Sequence, residues 1–461
     1  MTGRAYGAAL LKSKTTEKRL NGHLESQVAL RSGMGIDGLT RIGIDRMSSE
    51  SKHRLIADVQ SGLRSGTYRL TSYRQVLAVK NSTSPPRSFS VPTVRDDLAI
   101  RALLDVLGEA IGKRGPELPQ SVIARVKEAL VVGVKRDVVR VDVKNFFPSI
   151  QHDLLRQCLN RHIRHKPTLE VIMRAVGNDS VPLGQRSRGL SRSRGVPLGI
   201  AISSALAELY LARFDNYFGA RPDLDFFRFV DDILIFCPPG QADSTFREVV
   251  MQLQLLGLEA HPVDERGKTF VGELSAPFVY LGYQFSESRI SVGPAGVARM
   301  ESAIARVFAH YLNAVQDESP ARAEAAARRL KWDLDLLVTG CVFEGRHRGW
   351  IKFYSQIDDL AQLHHLDAMI SKKVREAHAT VSAKRIVKTW HLVSGNSLGN
   401  GYVPDLDRWD VAEMREHLVN IAGWDTHDVQ NLADNEVERV FNRRIRREVS
   451  RLERDTVGHM S

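Results

Sequence analysis

Residues 228–236 read RFVDDILIF, an apolar run rich in β-forming residues that two adjacent carboxylates interrupt. Its periodicity predicts a buried β-hairpin with Asp231 and Asp232 at the turn. Adjacent carboxylates repel each other and resist desolvation, so a fold that buries such a turn normally supplies a cation to neutralise them. A divalent metal is the natural candidate. A solvated turn is the alternative, because aspartates are common in turns.

A second stretch favours the metal over the solvated turn. Residues 138–150 read VVRVDVKNFFPSI, a β-branched strand that ends in one carboxylate, Asp142, followed by two phenylalanines. Acids on two neighbouring strands are the arrangement that two-metal phosphoryl transfer requires, in which paired cations activate a hydroxyl and stabilise a leaving pyrophosphate. The two stretches together therefore predict a site of that chemistry.

Five motifs, in the right order and spacing, give the chain its likeness to a known family. They are DVKNFF at 142–147, GVPLGIAISS at 195–204, FVDD at 229–232, LGL at 256–258 followed by Lys268-Thr269, and FVYLGY at 278–283. In this order they resemble motifs A to E of the reverse transcriptases, and the likeness is to the bacterial branch of group II intron, retron and defence-associated enzymes. Five motifs in register are far more specific than a two-residue signature alone.

That resemblance implies an α+β fold of the right-hand polymerase kind, with fingers, palm and thumb, and a helical C-terminal extension. The expected parts are a basic N-terminal arm at 1–34, fingers at 35–134, a palm at 135–295 with a fingers insertion at about 155–195, a helical thumb at 296–376 and a basic helical extension at 377–461. The N-terminal arm either docks RNA or is merely solvated. Apolar residues at helical spacing from Val297 onward agree with a helical thumb.

For the reaction, the resemblance implies addition of dNTPs to a hydroxyl primer with two Mg²⁺ ions, or Mn²⁺ in their place. It assigns the metal site to Asp142, Val143, Asp231 and Asp232. Of these, Asp142 and Asp231 would be the principal ligands, and Asp232 would support them. The three aspartates and Lys268 are the expected catalytic residues, with Lys268 protonating the leaving pyrophosphate or holding phosphate. A lone lysine after a strand is otherwise usually solvated.

The incoming nucleotide has its own expected contacts. A hairpin would carry Lys80 and Arg87, and an ammonium with a guanidinium can close over a triphosphate. A surface hairpin with solvated cations is the alternative. By resemblance, Phe147 faces the sugar and excludes a 2′-hydroxyl, while Leu198 and Gly199 lie at the nucleotide. Many relatives carry glutamine where this chain has Leu198, and Gly199 would let the backbone approach the nascent base pair closely.

The charge balance favours polyanionic partners. The 461 residues contain 65 Lys+Arg against 54 Asp+Glu, a net charge of +11 that does not choose among nucleic acid, a membrane surface and acidic protein. A loop before motif B carries Arg186, Arg188, Arg192 and Arg194, and it either follows a phosphate backbone or is solvated. A basic amphipathic helix near the C-terminus carries Arg443, Arg444 and Arg447. It would bind structured RNA or a partner subunit, or be only solvated.

Several protein classes are disfavoured. Cys158, Cys237 and Cys341 are scattered without CxxC spacing, which indicates neither a disulfide framework nor a zinc ribbon and suits a reducing compartment. No stretch reaches the roughly 18 uninterrupted apolar residues of a membrane span, and the N-terminus lacks a signal-peptide core. We therefore expect a cytoplasmic protein with no membrane partner. The sequence also shows no cysteine-bearing endonuclease module and no convincing RNase H carboxylate set.

The predicted function is that of an RNA-directed DNA polymerase. The expected partners are an RNA template, the DNA product and dNTPs, whereas a protein partner or a homo-oligomer is left open. A compact polymerase with a small C-terminal extension is typical of enzymes that copy a dedicated, structured non-coding RNA, as in retrons and bacterial anti-phage defence systems. Two alternatives remain: a template-independent polymerase on the same fold, and a non-catalytic RNA-binding subunit of a ribonucleoprotein.

Overall fold

The computed structural model describes most of the chain as two compact units. The described residues are 3–30, 47–78, 86–112, 117–130, 136–185, 192–263, 267–286, 289–316, 319–395 and 401–457. The first unit comprises Met1–Glu117 and Lys135–Glu273, and the second comprises Leu118–Val134 and Leu274–Ser461.

The elements alternate between helices and short strands along the chain. The helices are α1 (Gly3–Lys14), α2 (Glu17–Leu30), α3 (Ser49–Ser65), α4 (Val94–Ile111), α5 (Pro119–Ala129), α6 (Phe146–Ser149), α7 (His152–His162), α8 (Lys166–Gly177), α9 (Ser203–Gly219), α10 (Ala242–Gln254), α11 (Pro294–Ala314), α12 (Pro320–Thr339), α13 (Trp350–Phe353), α14 (Ala361–Glu376), α15 (Ile386–Ser394), α16 (Val411–Asn420), α17 (Thr426–Gln430) and α18 (Asp434–Val457). The strands are β1 (Tyr73–Ala78), β2 (Arg87–Val91), β3 (Asp137–Lys144), β4 (Ser180–Val181), β5 (Asp225–Phe229), β6 (Asp232–Cys237), β7 (Glu259–Ala260), β8 (Phe270–Glu273), β9 (Phe278–Tyr280), β10 (Tyr283–Ser286), β11 (Arg289–Val292), β12 (Cys341–Phe343) and β13 (Arg346–Arg348). None of the described helices is both long and apolar enough to span a membrane.

The first unit is built around an antiparallel sheet in the order β5-β6-β3, with β7 and β8 both pairing the other edge of β3. Val139 and Val141 of β3 are fully buried in the hydrophobic core. Arg140 and Asp142 alternate with these valines and therefore lie on the opposite face. The register places Asp142 directly across from Asp232, at the start of β6.

Helices cover the core face of this sheet. α9 contributes Leu206, Phe214 and Phe218, which are all buried, and the rings of Phe214 and Phe218 lie 4.8 Å apart. α10 packs on β3 and β8, with Val249 and Leu253 buried. Burial of apolar surface contributes roughly 25 cal/mol per Å², so the core face supplies most of the stability and leaves the opposite face to polar residues.

The N-terminal segment 3–30 is folded into α1 and α2, which pack on α4. Apolar side chains of both helices are buried in the core of the unit. Basic residues here are paired with acids of α4: Lys14 with Glu109, and His23 with Asp105 at 2.9 Å. Part of the positive charge that the sequence places at the N-terminus is therefore neutralised inside the first unit.

A smaller sheet, in the order β2-β1-β4, is anchored to α4. β1 and β2 form an antiparallel pair with Ala78 opposite Arg87 at its outer end. Thr93 caps α4 by accepting a hydrogen bond from the amide of Asp96 at 3.1 Å. The buried Asp96 carboxylate in turn accepts the amide of Thr71, just before β1, at 2.9 Å. The base of the hairpin is thus fixed, and Arg87 lies at its other end.

The second unit combines the antiparallel sheet β9–β11 and the hairpin β12–β13 with α5 and helices α11 to α18. α18 packs on α11, α13 and α16. Its buried residues Val437, Phe441, Ile445 and Val449 recur at helical spacing and form one apolar stripe. The basic C-terminal helix expected from the sequence is therefore an integral part of this unit.

An aromatic cluster lies where α12, α16 and α18 meet. The ring of His417 lies 4.5 Å from Trp332, 5.7 Å from Trp409 and 5.4 Å from Phe441. His417 is 3% exposed, and neither ring nitrogen has a hydrogen-bond partner among the described residues. Burial, together with two nearby arginines, lowers the pKa of His417 to about 3, so the ring is neutral. All five tryptophans of the chain lie in this unit, so their fluorescence reports on it alone.

The two units depart from the predicted borders in two places. α5, expected within the fingers, groups with the second unit, and so do β9 to β11, expected within the palm. The ranges assigned to fingers, palm and thumb therefore remain predictions. The α+β class and the helical C-terminal region agree with the expectation from the sequence.

Candidate active site

The β5–β6 hairpin ends in a two-residue turn. Phe229 and Asp232 are the last paired residues of the ladder, so Val230 and Asp231 form the turn between them. Val230 has a φ of 55°, a left-handed conformation that β-branched residues rarely adopt. Two-residue hairpins favour such a conformation because it matches the twist of the flanking strands. The predicted hairpin, with both aspartates at its tip, is present.

Arg228 fixes this turn from the core side of the sheet. Its side chain is 5% exposed, and its guanidinium donates to both carboxylate oxygens of Glu208 at 3.0 Å and to both of Asp215 at 2.6 Å. It also donates to the carbonyl of Val230 at 2.7 Å. Both acids belong to α9, so the arginine ties the turn to that helix. The sequence analysis missed this role, although a cation beside an apolar run must find partners when it is buried.

Three carboxylates meet at this end of the sheet: Asp142, Asp231 and Asp232. Asp142 and Asp232 are direct cross-strand neighbours, with side chains 18% and 19% exposed. The amide of Val143 donates to the carbonyl of Asp231 at 3.3 Å. Burial raises the pKa of Asp231 to about 7, and the charges of Asp232 and Asp142 add to the effect. Burial also raises the pKa of Asp232. A cation at this position would offset both the burial of the ionised carboxylates and the repulsion between them.

These donors suit a hard divalent cation. Carboxylate oxygens are the ligands that Mg²⁺ and Mn²⁺ prefer in proteins. Val143 has a buried, apolar side chain, so it can offer a cation only its backbone carbonyl. Elsewhere in the described residues, Asp425, His427 and Asp428 form a group whose ligand atoms lie within 4.8 Å of one another. That group is exposed, and Asp425 serves as the N-cap of α17, so we assign it no ligand.

Two cations contact the acids directly. Lys268 donates through Nζ to Asp142 Oδ2 at 2.5 Å, and its side chain is 40% exposed. Arg140 donates through Nε and Nη2 to the two carboxylate oxygens of Asp232, at 3.1 Å and 3.4 Å. Lys268 was predicted from the sequence, whereas Arg140 was not. The two-residue period of a strand, which puts Arg140 on the same face as Asp142, is the signal that could have found it.

Motif B is joined to β2 by its backbone. The amide of Ser90 donates to the carbonyl of Leu198 at 2.6 Å. Gly199 has a φ of 96°, and a Cβ placed there would lie 3.0 Å from the Ser90 carbonyl oxygen, so both conformation and space require glycine. Arg87, earlier on β2, lies close enough to the acids for its charge to lower the pKa of Asp231. The hairpin, motif B and the acids therefore belong to one site.

Phe147 lies on α6, directly after β3. It is half-buried, and its ring lies 5.3 Å from that of Phe146. Its carbonyl accepts the amide of Val196 at 2.9 Å, and the amide of Gly195 donates to the carbonyl of Ile150 at 2.7 Å. Motifs A and B are thus held together by main-chain hydrogen bonds, which fix the position of Phe147 relative to motif B. Its contact with a sugar stays a prediction.

The arginine-rich loop before motif B is described only in part. Lys80 of the hairpin, and Arg186 and Arg188 of this loop, lie outside the described residues. The amide of Arg192 donates to the carbonyl of Gly177 at 3.0 Å. Arg194 is exposed, and its guanidinium donates to the carbonyl of Ser149 at 3.2 Å. The C-terminal end of the loop is therefore attached to the body of the first unit.

The three predicted arginines of α18 differ in their surroundings. Arg447 is exposed, and Arg443 is half-buried. Arg444 has a side chain 24% exposed, pairs with Glu448 at 2.9 Å, and has its pKa lowered by burial. Arg447 is therefore available to a polyanion, whereas Arg444 is engaged within the second unit.

Comparison with known protein families concerns the same central segment. Residues 80–285 match the model of the family described as reverse transcriptase (RNA-dependent DNA polymerase). The match covers less than half of the chain, and it agrees with the predicted likeness of the motifs and with the predicted enzyme class of an RNA-directed DNA polymerase. The group II intron, retron or defence-associated branch stays a prediction.

Individual proteins show more distant similarity. Protein YkfC of Escherichia coli strain K12 is 27% identical over 204 residues, which cover 41% of this chain and 50% of YkfC. The chain thus spans about half the length of this curated relative. Apo telomerase from Candida tropicalis, truncated from its C-terminal domain, shares 12% identity at a TM-score of 0.36 over 52% of this chain and 60% of that chain. Telomerase from Candida albicans in complex with a TWJ fragment of telomeric RNA shares 14% identity at a TM-score of 0.39 over 80% and 67%. At these TM-scores we draw nothing further from the two telomerases.

Proposed function

We propose that the protein is an RNA-directed DNA polymerase that uses Mg²⁺ to add dNTPs to a hydroxyl primer. One observation carries the proposal: Asp142 and Asp232 face each other across paired strands, with Asp231 at the adjoining turn, within the segment that matches the reverse transcriptase family model. Burial raises the pKa of Asp231 and of Asp232. Acids held in this way favour bound cations over a solvated turn.

The acids and the carbonyl of Val143 would hold two Mg²⁺ ions, for which Mn²⁺ could substitute. When bound, the ions would activate the attacking hydroxyl and offset the charge that develops on the leaving pyrophosphate. The contribution of the chain is to keep the acids in place: strand pairing fixes Asp142 and Asp232, and Arg228 fixes the turn that carries Asp231. Such fixation matters because a misplacement of about 1 Å can lower a rate on the order of 10²-fold.

Other side chains would serve the nucleotide. We assign Lys268 to the leaving pyrophosphate, as a proton donor or a phosphate ligand, because it already contacts Asp142. Lys80 and Arg87 would contact the triphosphate, and the position of Arg87 on β2, the strand joined to motif B through Ser90 and Leu198, supports this assignment. We assign Phe147 to the exclusion of a 2′-hydroxyl, which would favour dNTPs over rNTPs. The motif B backbone would lie against the nascent base pair.

We further propose that the template is a structured non-coding RNA, copied in the bacterial cytoplasm by an anti-phage defence system. The likeness of motifs A to E to retron and defence-associated enzymes supports this role, as does the net charge of +11. Arg447 is exposed, and Arg194 is exposed although its guanidinium donates to the carbonyl of Ser149, so both can be reached by phosphates. Contacts of this kind give salt-dependent affinity without reading the base sequence.

Incorporation of labelled dNTPs tests the proposal. The purified protein, with its co-purifying nucleic acid, is assayed in Mg²⁺ with and without RNase pretreatment, and in parallel with rNTPs. Asp231→Asn removes one acid of the site, whereas Asp243→Asn makes the same substitution at an exposed position on α10. We expect DNA synthesis that requires RNA, is lost in Asp231→Asn and persists in Asp243→Asn. Sequencing the product would then identify the template.

Other results would replace the proposal with one of its alternatives. Synthesis that survives RNase in the absence of added template would indicate a template-independent polymerase on the same fold. No incorporation by a folded protein that still binds RNA would indicate a non-catalytic RNA-binding subunit. A product made only from rNTPs would contradict the assignment of Phe147.

A further inference from the structure

Arg140 connects the two cation–acid contacts of the site. It lies on β3, two residues before Asp142, and its side chain is 11% exposed. Nε and Nη2 donate to the two oxygens of Asp232 at 3.1 Å and 3.4 Å, and Nη1 donates to the carbonyl of Gly267 at 2.7 Å. Gly267 directly precedes Lys268, whose Nζ donates to Asp142 Oδ2 at 2.5 Å. One guanidinium therefore spans from an acid of the hairpin to the segment that carries Lys268.

The backbone makes the same connection a second time. Arg140 pairs with Phe270 in the β3–β8 ladder, two residues after Lys268. The segment from Gly267 to Phe270 is thus held at one end by the side chain of Arg140 and at the other by its main chain. Gly267 has a φ of 73°, which glycine adopts at sharp turns. Because the chain turns just before Lys268, the bond to the Gly267 carbonyl helps to set the direction that Lys268 takes.

Neutralising Asp232 would not by itself require an arginine. A lysine at this position could supply the same positive charge. Its single ammonium could not make a two-point contact with the carboxylate and also reach a carbonyl on another element, whereas the planar guanidinium offers five donors in fixed directions. The donors of Arg140 are divided between Asp232 and Gly267. This division indicates a geometric role in addition to charge balance.

We propose that Arg140 is a positioning residue for the polymerase reaction, which holds Asp232 and aligns Lys268 with Asp142. This inference rests on the proposed function, in which Lys268 acts on the leaving pyrophosphate. Removing Arg140 should lower kcat about tenfold to a hundredfold, since small misplacements of a reacting group have effects of that order. The KM for dNTP should change little, because Arg87 and the motif B loop remain in place.

Kinetics of single and double variants test the proposal. Arg140→Ala should show the loss in kcat, and Arg140→Lys, which keeps the charge and loses the bridge to Gly267, should recover only part of it. Arg136→Ala is the matched control, because Arg136 pairs with Asp225 next to the start of β3. If Arg140 acts through Lys268, adding Lys268→Ala to Arg140→Ala should cost little more than either change alone. Effects that multiply would overturn the alignment of Lys268 by Arg140.

A second measurement does not depend on activity. Hydrogen exchange of the peptide 267–273, in protein without added metal, should be faster in Arg140→Ala than in the wild type and unchanged in Arg136→Ala. Peptides of α9 serve as the control for global folding. The two results can be told apart. If the wild type has no polymerase activity, the proposed function is refuted. If exchange is nevertheless faster in Arg140→Ala, the anchoring of Lys268 by Arg140 is still supported. Unchanged exchange with wild-type kcat would overturn the inference itself.

Discussion

Replacing Arg228 by methionine should destabilise the first unit and abolish its polymerase activity. The change removes a cation that is 5% exposed and leaves the carboxylates of Glu208 and Asp215, 29% and 24% exposed, facing each other without the guanidinium between them. The carbonyl of Val230 also loses its bond to Arg228. Removing one partner of a buried ion pair lowers the free energy of unfolding by about 3–5 kcal/mol. Because both acids keep contact with water, we expect the lower end, about 3 kcal/mol.

The distribution of tryptophans allows this loss to be assigned to one unit. In urea titrations, hydrogen exchange of α9 and β6 peptides follows the first unit, whereas tryptophan fluorescence follows the second. We expect Arg228→Met to lower the urea midpoint only in the exchange experiment. Arg221→Met is the control, since that arginine pairs with Asp223 and Glu248 near the surface, where ion pairs contribute little.

A compensating variant separates lost charge balance from lost packing. Adding Glu208→Gln and Asp215→Asn to Arg228→Met removes the two facing charges, so part of the unfolding free energy should return. Activity should not return, because the Val230 carbonyl still lacks the donor that holds the turn. If the first unit of Arg228→Met unfolds at the same urea midpoint as the wild type, Arg228 does not stabilise the turn through α9. If activity returns in the triple variant, the hydrogen bond from Arg228 to the Val230 carbonyl is not needed to position Asp231.

Two further predictions concern His417 and Phe147. The pKa of His417 in the folded unit, about 3, lies below its ordinary value of about 6.5. Between these pH values the unfolded chain binds a proton at this residue and the folded unit does not. The free energy of unfolding therefore falls as the pH drops from 6.5 toward 3. Relative to wild type, His417→Phe should therefore gain roughly 2–3 kcal/mol at pH 4.5 compared with pH 7, measured by tryptophan fluorescence in urea; an equal difference at both pH values would contradict this. Phe147→Ala should raise the kcat/KM for rNTP relative to dNTP about tenfold or more, and an unchanged ratio would argue against the steric role.

The acids of the site could be predicted because their neighbours in the sequence define the local structure. β-Branched runs end at Asp142 and flank Asp231, so strand ends and a hairpin turn were readable without a structure. Two of the cations, Arg140 and Arg228, were not readable in this way. Arg140 and Arg228 lie in the same stretches, but their partners come from other elements: Gly267 and Asp232 for Arg140, and helix α9 for Arg228. The register between strands decides which acid Arg140 meets, and the packing of α9 on the sheet decides which acids Arg228 meets.

The N-terminal segment shows a second limit. Its basic residues suggested an arm, yet residues 3–30 form helices whose apolar side chains are buried against α4. The apolar positions are few and interspersed with polar residues, so periodicity alone could not identify the buried face. The pairing of Lys14 with Glu109 likewise depends on the tertiary fold. The expected contacts of Lys80, Arg186 and Arg188 stay predictions.

The backbone conformation of Val230 implies a trade-off between the thermal stability of the protein and its catalytic rate. A β-branched residue at positive φ raises the energy of the folded state by on the order of 1–3 kcal/mol. A substitution that relaxed the turn would therefore make the protein more resistant to heat while loosening the residue that follows. Consensus or thermostability engineering would select such a change early, and it would do so at the expense of catalysis. Directed evolution for thermal stability should therefore leave Val230 unchanged and select stabilising substitutions elsewhere in the chain.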